Sequence, residues 1–183
     1  MQKRLTILHT VPLVLEMLSG LCPKILGPEV AVTNVIDDTL LPETQEAGFV
    51  TKKVLRRILS YLLTAEAAGA DGILVSCSSI GPSVDIAREI LDIPILRIDE
   101  AMAEEAVRRG SKIGVVATVE TTMKPTEGIV REKARQAGRT ISVEKHLCQD
   151  AFAAIRQGNV ELHNELILER ITCAAEQCDV VVL

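Results

Sequence analysis

The feature that most constrains the fold of this chain is an internal repeat, in which similar segments recur 108 positions apart. Thr10 and Asp71 are separated by 61 positions, and so are Thr118 and Asp179. Each threonine ends an apolar run, and each aspartate begins another. The repeat therefore predicts two half-length copies of one structural unit.

The first copy continues beyond the point where the second copy stops. After its apolar run it enters Ser76-Cys77-Ser78-Ser79. At the same shift, Cys77 would have a mate two positions beyond Leu183. We expect a first half over residues 1–98, which carries Cys77, and a second half over 99–183, which ends before that mate position.

Strand-like and helix-like segments alternate along the whole chain. Near-continuous apolar strands between amphipathic helices are typical of a parallel sheet that is covered on both faces. The predicted fold class is therefore α/β. The predicted strands are Leu5 to Thr10, Val30 to Ile36, Gly72 to Ser76, Pro94 to Ile98, Lys112 to Ala117, Ile141 to His146 and Asp179 to Leu183.

Helical periodicity also repeats between the two copies. Apolar residues three and four positions apart form one face of a helix. We expect this face to be buried in both copies. In the first copy it contains Val54, Ile58, Leu59 and Leu63, and at the 108-residue shift these fall on Leu162, Leu166, Ile167 and Ile171.

Composition excludes several classes of protein. No run approaches the roughly 18 apolar residues that span a bilayer, and the basic N-terminus leads into a strand pattern rather than a signal peptide. We expect a cytoplasmic protein without a membrane partner. The net charge of −5 and the two Phe and one Tyr argue against a nucleic-acid partner, which needs basic and stacking surfaces.

The five cysteines do not form a recognisable framework. Their number is odd and no paired C-x-x-C spacing occurs. This pattern predicts neither disulfides nor a zinc site, and we expect no metal. Cys173 and Cys178 lie on or just after a predicted helix with small neighbours, so we interpret them as core thiols.

Candidate site residues come from the carboxyl ends of the predicted strands. In open α/β sheets, ligands bind beyond these ends, where loops and helix N-termini supply polar groups. The rule selects His9 and Thr10, Asp37 and Asp38, Cys77 to Ser79, Asp99 and Glu100, and Thr118 to Thr122.

Cys77 is the strongest chemical candidate. Gly81-Pro82 marks the start of a helix, whose positive end would favour a thiolate that acts as a base or a nucleophile. Ser78 and Ser79 are suited to bind a carboxylate or an oxyanion. The alternative is a buried structural cysteine followed by two turn-forming serines.

The other candidates each have a structural alternative. Thr118, Thr121 and Thr122 would bind a second substrate carboxylate or serve as helix N-caps. Thr10 is the repeat partner of Thr118, and we expect His9 beside it to be a neutral-pH titrating group, a packed side chain or a solvent-facing one. Asp37-Asp38 either caps a loop or approaches the ligand.

Three motifs together resemble the aspartate/glutamate/hydantoin racemase superfamily, and the resemblance covers essentially the whole chain. They are Ile7-Leu8-His9-Thr10, Leu74-Val75-Ser76-Cys77-Ser78-Ser79 and Ile113-Gly114-Val115-Val116-Ala117-Thr118-Val119-Glu120-Thr121. The resemblance implies two pseudo-symmetric, flavodoxin-like halves with parallel sheets and an active-site cleft between them. It also implies a homo-oligomer.

The resemblance further implies isomerase chemistry without a cofactor. Cys77 matches the first of two cysteines that remove and return a proton alpha to a carboxylate or carbonyl. Ser78 and Ser79 match residues that hold the substrate carboxylate, and Thr10, Thr118 and Thr121 match small hydroxyl residues of the motifs. His9 stands where glutamate racemases carry an acidic residue, so this chain differs from a cell-wall glutamate racemase.

Three functions stay open at this point. A cysteine at the mate position beyond Leu183 would give a racemase or epimerase of a small anionic metabolite. Another residue there would give a one-cysteine decarboxylase or isomerase of the same superfamily. A non-catalytic small-ligand-binding module is the alternative outside enzymes, although no G-x-G-x-x-G or P-loop follows a strand.

Overall fold

A computed structural model describes residues 2–183 of the chain. The chain divides into two compact units, Met1–Ile98 and Asp99–Leu183. Each unit contains one parallel β-sheet with helices between its strands. The predicted α/β fold class is therefore confirmed.

The first unit is built on a four-stranded sheet in the order β2-β1-β3-β4, in which all neighbouring strands are parallel. Its strands are β1 (Lys3–His9), β2 (Val30–Ile36), β3 (Gly72–Val75) and β4 (Ile95–Arg97). Its helices are α1 (Pro12–Leu26), α2 (Leu40–Ala47), α3 (Lys52–Ala67) and α4 (Pro82–Arg88), with a short 3-10 helix at Ser78–Ile80.

Helix α3 buries one face in the core of the first unit. Thr51 begins the helix, because its hydroxyl accepts a hydrogen bond from the amide of Val54 at 3.2 Å. Val54, Ile58 and Leu62 are fully buried and join the apolar core around β1 and β3. These positions recur every four residues, which is the spacing of one helical face.

The second unit is built on a three-stranded parallel sheet in the order β6-β5-β7. Its core forms where α6 packs on β5 and α5 packs on α6 and β7. The strands are β5 (Lys112–Ala117), β6 (Ser142–Leu147) and β7 (Val180–Val182). The helices are α5 (Glu100–Arg109), α6 (Glu120–Gln136), α7 (Gln149–Arg156) and α8 (Val160–Ala175).

The repeated aspartates make the same contacts in the two units. Asp71, before β3, accepts a hydrogen bond from the Arg4 amide at 2.8 Å, and its own amide donates to the Arg4 carbonyl at 2.7 Å. Asp179, before β7, accepts from the Lys112 amide at 2.8 Å and donates to the Lys112 carbonyl at 2.8 Å. Each aspartate thus ties the third strand of its unit to the central strand.

The equivalence is weaker at the helices. In α8, Leu162 is 41% exposed and Leu166, Ile167 and Ile171 are only half-buried, so the predicted buried face is wrong for this helix at Leu162. Leu63 of α3 is likewise exposed. At about 100° per residue, Leu63 lies about 140° around α3 from the buried Ile58, and Leu162 lies about 120° around α8 from the buried Ala174, so both point away from the buried side of their helix.

The interpretation of Cys173 as a core thiol is also wrong. Cys173 is exposed, whereas Ala174 is the fully buried residue of α8. Adjacent residues of a helix point about 100° apart, and in α8 the buried direction is that of Ala174, whereas Cys173 points towards solvent. Cys178, which follows α8, is half-buried.

No helix among residues 2–183 is both long enough and apolar enough to cross a membrane.

Replacing Asp179 with alanine should destabilise the protein, because two backbone amides at the start of β5 lose their acceptor. Hydrogen bonds from the Lys112 and Ser111 amides hold the pKa of Asp179 below its ordinary value. A carboxyl with a lowered pKa in the folded state stabilises above its unfolded pKa of about 3.9 and loses this effect as pH falls through the folded value.

The difference in urea midpoint between the wild type and Asp179→Ala should therefore be present at pH 7 and shrink below about pH 4. Glu169→Ala, which removes an exposed carboxylate from α8, is the matched control and should leave the midpoint unchanged at both pH values. Equal destabilisation by both variants would contradict a specific contribution from Asp179.

Candidate active site

The carboxyl end of the first sheet brings Thr10 and Cys77 together. Strands β1 and β3 are adjacent, with Leu8 opposite Val75. The Ser76 amide donates to the Leu8 carbonyl at 3.0 Å, which continues the pairing beyond β3. Extended by two residues, the same register aligns Thr10 with Cys77, each just after the end of its strand.

Cys77 is half-buried and joins β3 to the 3-10 helix Ser78–Ile80. Its backbone is extended, and its carbonyl accepts from the Ile80 amide at 3.3 Å. The predicted helix start at Pro82 is confirmed, but the intervening 3-10 turn separates Cys77 from α4. The thiol therefore does not lie directly at the N-terminus of a helix, because a one-turn connection comes first.

The two serines after Cys77 differ in exposure. Ser79 is buried and Ser78 is half-buried. Both belong to the 3-10 turn, whose closing hydrogen bond runs from the Gly81 amide to the Ser78 carbonyl at 3.0 Å. The two serines therefore directly follow the thiol residue in a fixed turn.

Thr10 carries a polar atom that the fold leaves unsatisfied. Its side chain is 3% exposed, and its Oγ1 has no hydrogen-bond partner. A buried hydroxyl without a partner is unfavourable, and native proteins satisfy most such groups. The Thr10 hydroxyl is therefore available to a ligand at the end of the sheet.

His9 is fully buried, and both of its ring nitrogens have partners inside the first unit. Nε2 lies 2.9 Å from Asn34 Oδ1, and Nδ1 lies 3.0 Å from Ser76 Oγ. Ser76 immediately precedes Cys77. The His9 imidazole therefore connects Asn34 of β2 to the residue directly before the candidate thiol.

Sequence reasoning missed Ser76 and Asn34 as partners of His9. Asn34 is a polar residue within the predicted strand β2, and Ser76 is the last polar residue before Cys77. In the sequence, both residues are recognisable as polar residues within or at the end of largely apolar strands. Their convergence on His9 depends on the alignment of β1 with its two neighbours, which the sequence does not reveal.

Asp37 holds the loop after β2. It accepts from the Thr39 amide at 3.1 Å, the Thr39 hydroxyl at 2.8 Å and the Tyr61 hydroxyl at 2.8 Å, and it pairs with Arg57. Burial opposes the charge, but these hydrogen bonds outweigh it and lower the pKa of Asp37. Among the two roles considered for Asp37, the capping role is the one that these contacts fill.

Thr118, Thr121 and Thr122 lie together at the carboxyl end of β5 in the second unit. Helix α6 begins at Glu120, and its N-cap is Val119, without a side-chain capping bond. The alternative role of these threonines as N-caps is therefore wrong. Thr118 and Thr122 are half-buried, and Thr121 is buried.

Residues 10–183 match the sequence model of one protein family, described as Asp/Glu/Hydantoin racemase. The chain belongs to this family. The match spans both structural units and all three motifs that carry the resemblance, except for the residues before Thr10. Among curated proteins, no sequence matches this racemase-family chain significantly.

Solved structures support the fold of the racemase-family chain. The aspartate racemase of Picrophilus torridus has a TM-score of 0.74 at 18% identity, with 99% of this chain and 80% of that chain covered. The allantoin racemase of Klebsiella pneumoniae has a TM-score of 0.62 at 16% identity, with 97% and 71% covered.

The glutamate racemase of Aquifex pyrophilus is also similar, with a TM-score of 0.58 at 20% identity. That alignment covers 78% of this chain and 54% of the Aquifex chain. The racemase-family chain thus spans about half the length of this relative. The family match confirms the predicted isomerase class of the racemase type.

Replacing Thr10 with valine should leave the fold intact and raise the free energy of unfolding by about 1 kcal/mol, because a methyl group replaces a buried hydroxyl that has no partner. The matched control is Thr44→Val. Thr44 is equally buried, but its hydroxyl donates to the Leu40 carbonyl at 2.7 Å.

Urea denaturation should show stabilisation for Thr10→Val and a loss of about 1 kcal/mol for Thr44→Val. A loss of stability in both variants would show that the Thr10 hydroxyl has a partner in the folded protein.

Proposed function

We propose that this protein is a cofactor-independent racemase or epimerase, in which Cys77 removes the proton alpha to a carboxylate or carbonyl of a small metabolite. The observation that carries the proposal is that a half-buried thiol and a buried hydroxyl without a partner occur at the same end of one sheet. Cys77 and Thr10 follow the adjacent strands β3 and β1 at the carboxyl end of the first sheet, in a chain of the Asp/Glu/hydantoin racemase family.

The proposed step is a proton transfer to sulfur. The Cys77 thiolate takes the alpha proton and becomes a thiol, and the electron pair of the C–H bond moves onto the adjacent carboxylate or carbonyl. Hydrogen-bond donors that face the oxygens stabilise this developing charge. In our proposal, Ser78, Ser79 and the free hydroxyl of Thr10 supply these donors.

His9 has a positioning role in this proposal. Its two ring nitrogens are engaged by Asn34 and Ser76, so it supports the segment before Cys77 instead of contacting the substrate directly. This assignment refines the expectation that His9 binds substrate, because a fully buried ring with two partners has little left to offer a ligand.

Thr118, Thr121 and Thr122 are proposed to bind a carboxylate or another polar group of a substrate. They occupy the end of β5, the central strand of the second unit. Thr10 occupies the corresponding place after β1. In the first unit β1 lies between β2 and β3, as β5 lies between β6 and β7 in the second. The 108-residue repeat thus relates Thr10 to Thr118 in position as well as in sequence.

The substrate class is proposed from the site and from the neighbours. Hydroxyl groups dominate the candidate residues, which favours a small anionic or carbonyl-rich metabolite. The similar structures are named as racemases of aspartate, glutamate and allantoin. We therefore propose amino-acid carboxylates and hydantoin-like rings as the compounds to test first.

Solvent deuterium incorporation tests the proposed chemistry. The protein is incubated in D2O with enantiopure compounds from these two classes, and exchange at the alpha carbon is followed by proton NMR. Cys77→Ser should lower the exchange rate at least about 100-fold, because positioned acid–base groups contribute factors of 10² to 10⁴. Cys173→Ser removes an exposed thiol from α8 and should exchange like the wild type.

The stereochemical outcome separates the related mechanisms. Exchange with inversion requires a second base opposite Cys77, as in a racemase. Exchange without inversion indicates a one-cysteine isomerase. Exchange that persists in Cys77→Ser would overturn the role of Cys77, and a folded wild-type protein that exchanges none of the compounds would refute the proposed substrate classes.

A further inference from the structure

Three potential metal ligands converge on one face of the second sheet. Glu144 and His146 are alternate residues of β6, so their side chains point to the same side. Cys178 precedes β7, on the other side of the central strand β5. One donor atom from each of the three residues lies within 4.8 Å of the other two.

The individual distances are close to those of a metal-binding set. Cys178 Sγ is 3.7 Å from Glu144 Oε2, and His146 Nε2 is 3.9 Å from the same oxygen. Zinc bonds of about 2.0 to 2.3 Å at tetrahedral angles place neighbouring ligand atoms about 3.3 to 3.7 Å apart. The third pair, Cys178 Sγ and His146 Nε2, lies within 4.8 Å, so side-chain shifts of up to about 1 Å bring the three atoms around one ion.

Gly114 makes room for this arrangement. It lies on β5, opposite Glu144 in the sheet. A Cβ atom at this position would be 3.1 Å from Cys178 Sγ and 3.4 Å from the Ala174 Cβ. Because glycine has no side chain, the thiol can lie over the central strand and face β6.

His146 supplies an independent observation. Its Nε2 is buried and has no hydrogen-bond partner, and its side chain is only 11% exposed. The nearest carboxylate oxygen, at 3.9 Å, is too far away to form a hydrogen bond. A buried imidazole nitrogen without a partner is unfavourable unless a ligand binds it.

We propose that Glu144 Oε2, His146 Nε2 and Cys178 Sγ bind one Zn²⁺ ion, with a water molecule as the fourth ligand. Thiolate, imidazole and carboxylate are the ligands that zinc uses in proteins, and three protein ligands leave one position open. The Cys178 thiol loses its proton to solvent as the zinc–sulfur bond forms. The thiolate and the carboxylate then balance the two charges of the ion.

Lys112 supports the same site from outside. Its ammonium group lies 2.9 Å from Glu144 Oε1, the carboxylate oxygen that does not face the thiol. A partner on the outer oxygen fixes the orientation of a ligating carboxylate. The Lys112–Glu144 ion pair therefore leaves Oε2 directed at His146 and Cys178.

The sequence does not suggest this site, because its ligands are not grouped in a familiar motif. Cys178 is far along the chain from Glu144 and His146, and no second cysteine lies at C-x-x-C spacing. The parallel pairing of β6 and β7 with β5 brings these distant positions together.

Titration of the metal-free protein with Co²⁺ tests the proposal, because cobalt replaces zinc and reports its ligands by absorption. We expect one Co²⁺ per chain, a sulfur-to-cobalt charge-transfer band, tetrahedral visible bands and displacement by Zn²⁺. Cys178→Ser should lose the charge-transfer band. Cys173→Ser, which removes an exposed thiol nearby in sequence, should keep the full spectrum.

Two further variants separate the site from nonspecific binding. His146→Gln should weaken Co²⁺ binding at least about 100-fold, because even outer-shell partners of a metal contribute 10- to 100-fold. Gly114→Ala keeps all three ligands but crowds the thiol, so it should weaken binding while the far-UV circular dichroism is unchanged.

Failure to bind Co²⁺ by the folded wild type would overturn the proposal. So would a charge-transfer band that survives in Cys178→Ser, or an affinity that His146→Gln does not change. None of these results depends on the activity proposed for Cys77.

Discussion

The two aspartate contacts between the third and the central strand are the interactions on which the arrangement of both units depends. Asp71 bonds to the backbone of Arg4, and Asp179 bonds to the backbone of Lys112. Each contact sets where the third strand starts beside the central one. In the first unit, this alignment carries through β1 and β3 as far as Leu8 and Val75, shortly before Thr10 and Cys77.

Some polar groups near the end of the first sheet are hydrogen-bonded within the fold, and others are left without a partner. His9 and Asp37 are buried, and their polar atoms bind neighbouring residues. Thr10 is just as buried, yet its hydroxyl has no partner. A buried hydroxyl without a partner opposes folding, so the Thr10 hydroxyl lowers the stability of the protein while it stays available to bind a ligand. In the second unit, His146 Nε2 is likewise a buried side-chain atom without a hydrogen-bond partner.

Local signals predicted the elements well and the side-chain roles less well. Pro82 was expected to start a helix and does so, because proline at the first helical position loses no backbone hydrogen bond. The threonines after β5 were considered as caps, but Val119 occupies the N-cap. Cys173 was interpreted as buried, but Ala174 takes the position that faces the sheet. A shift of one residue along the chain changes which residue caps a helix or faces the sheet. The composition of a segment does not decide between such neighbouring positions.

The sequence by itself determined the α/β class, the strands, the repeat and the prominence of Cys77, because apolar periodicity and chain spacing are written in consecutive residues. Only the tertiary structure decided which distant side chains meet. Strand pairing brings Asn34 and Ser76 to His9, leaves the Thr10 hydroxyl without a partner, and gathers Glu144, His146 and Cys178 on one face. These contacts depend on strand order and register, which residues far apart in the chain establish jointly.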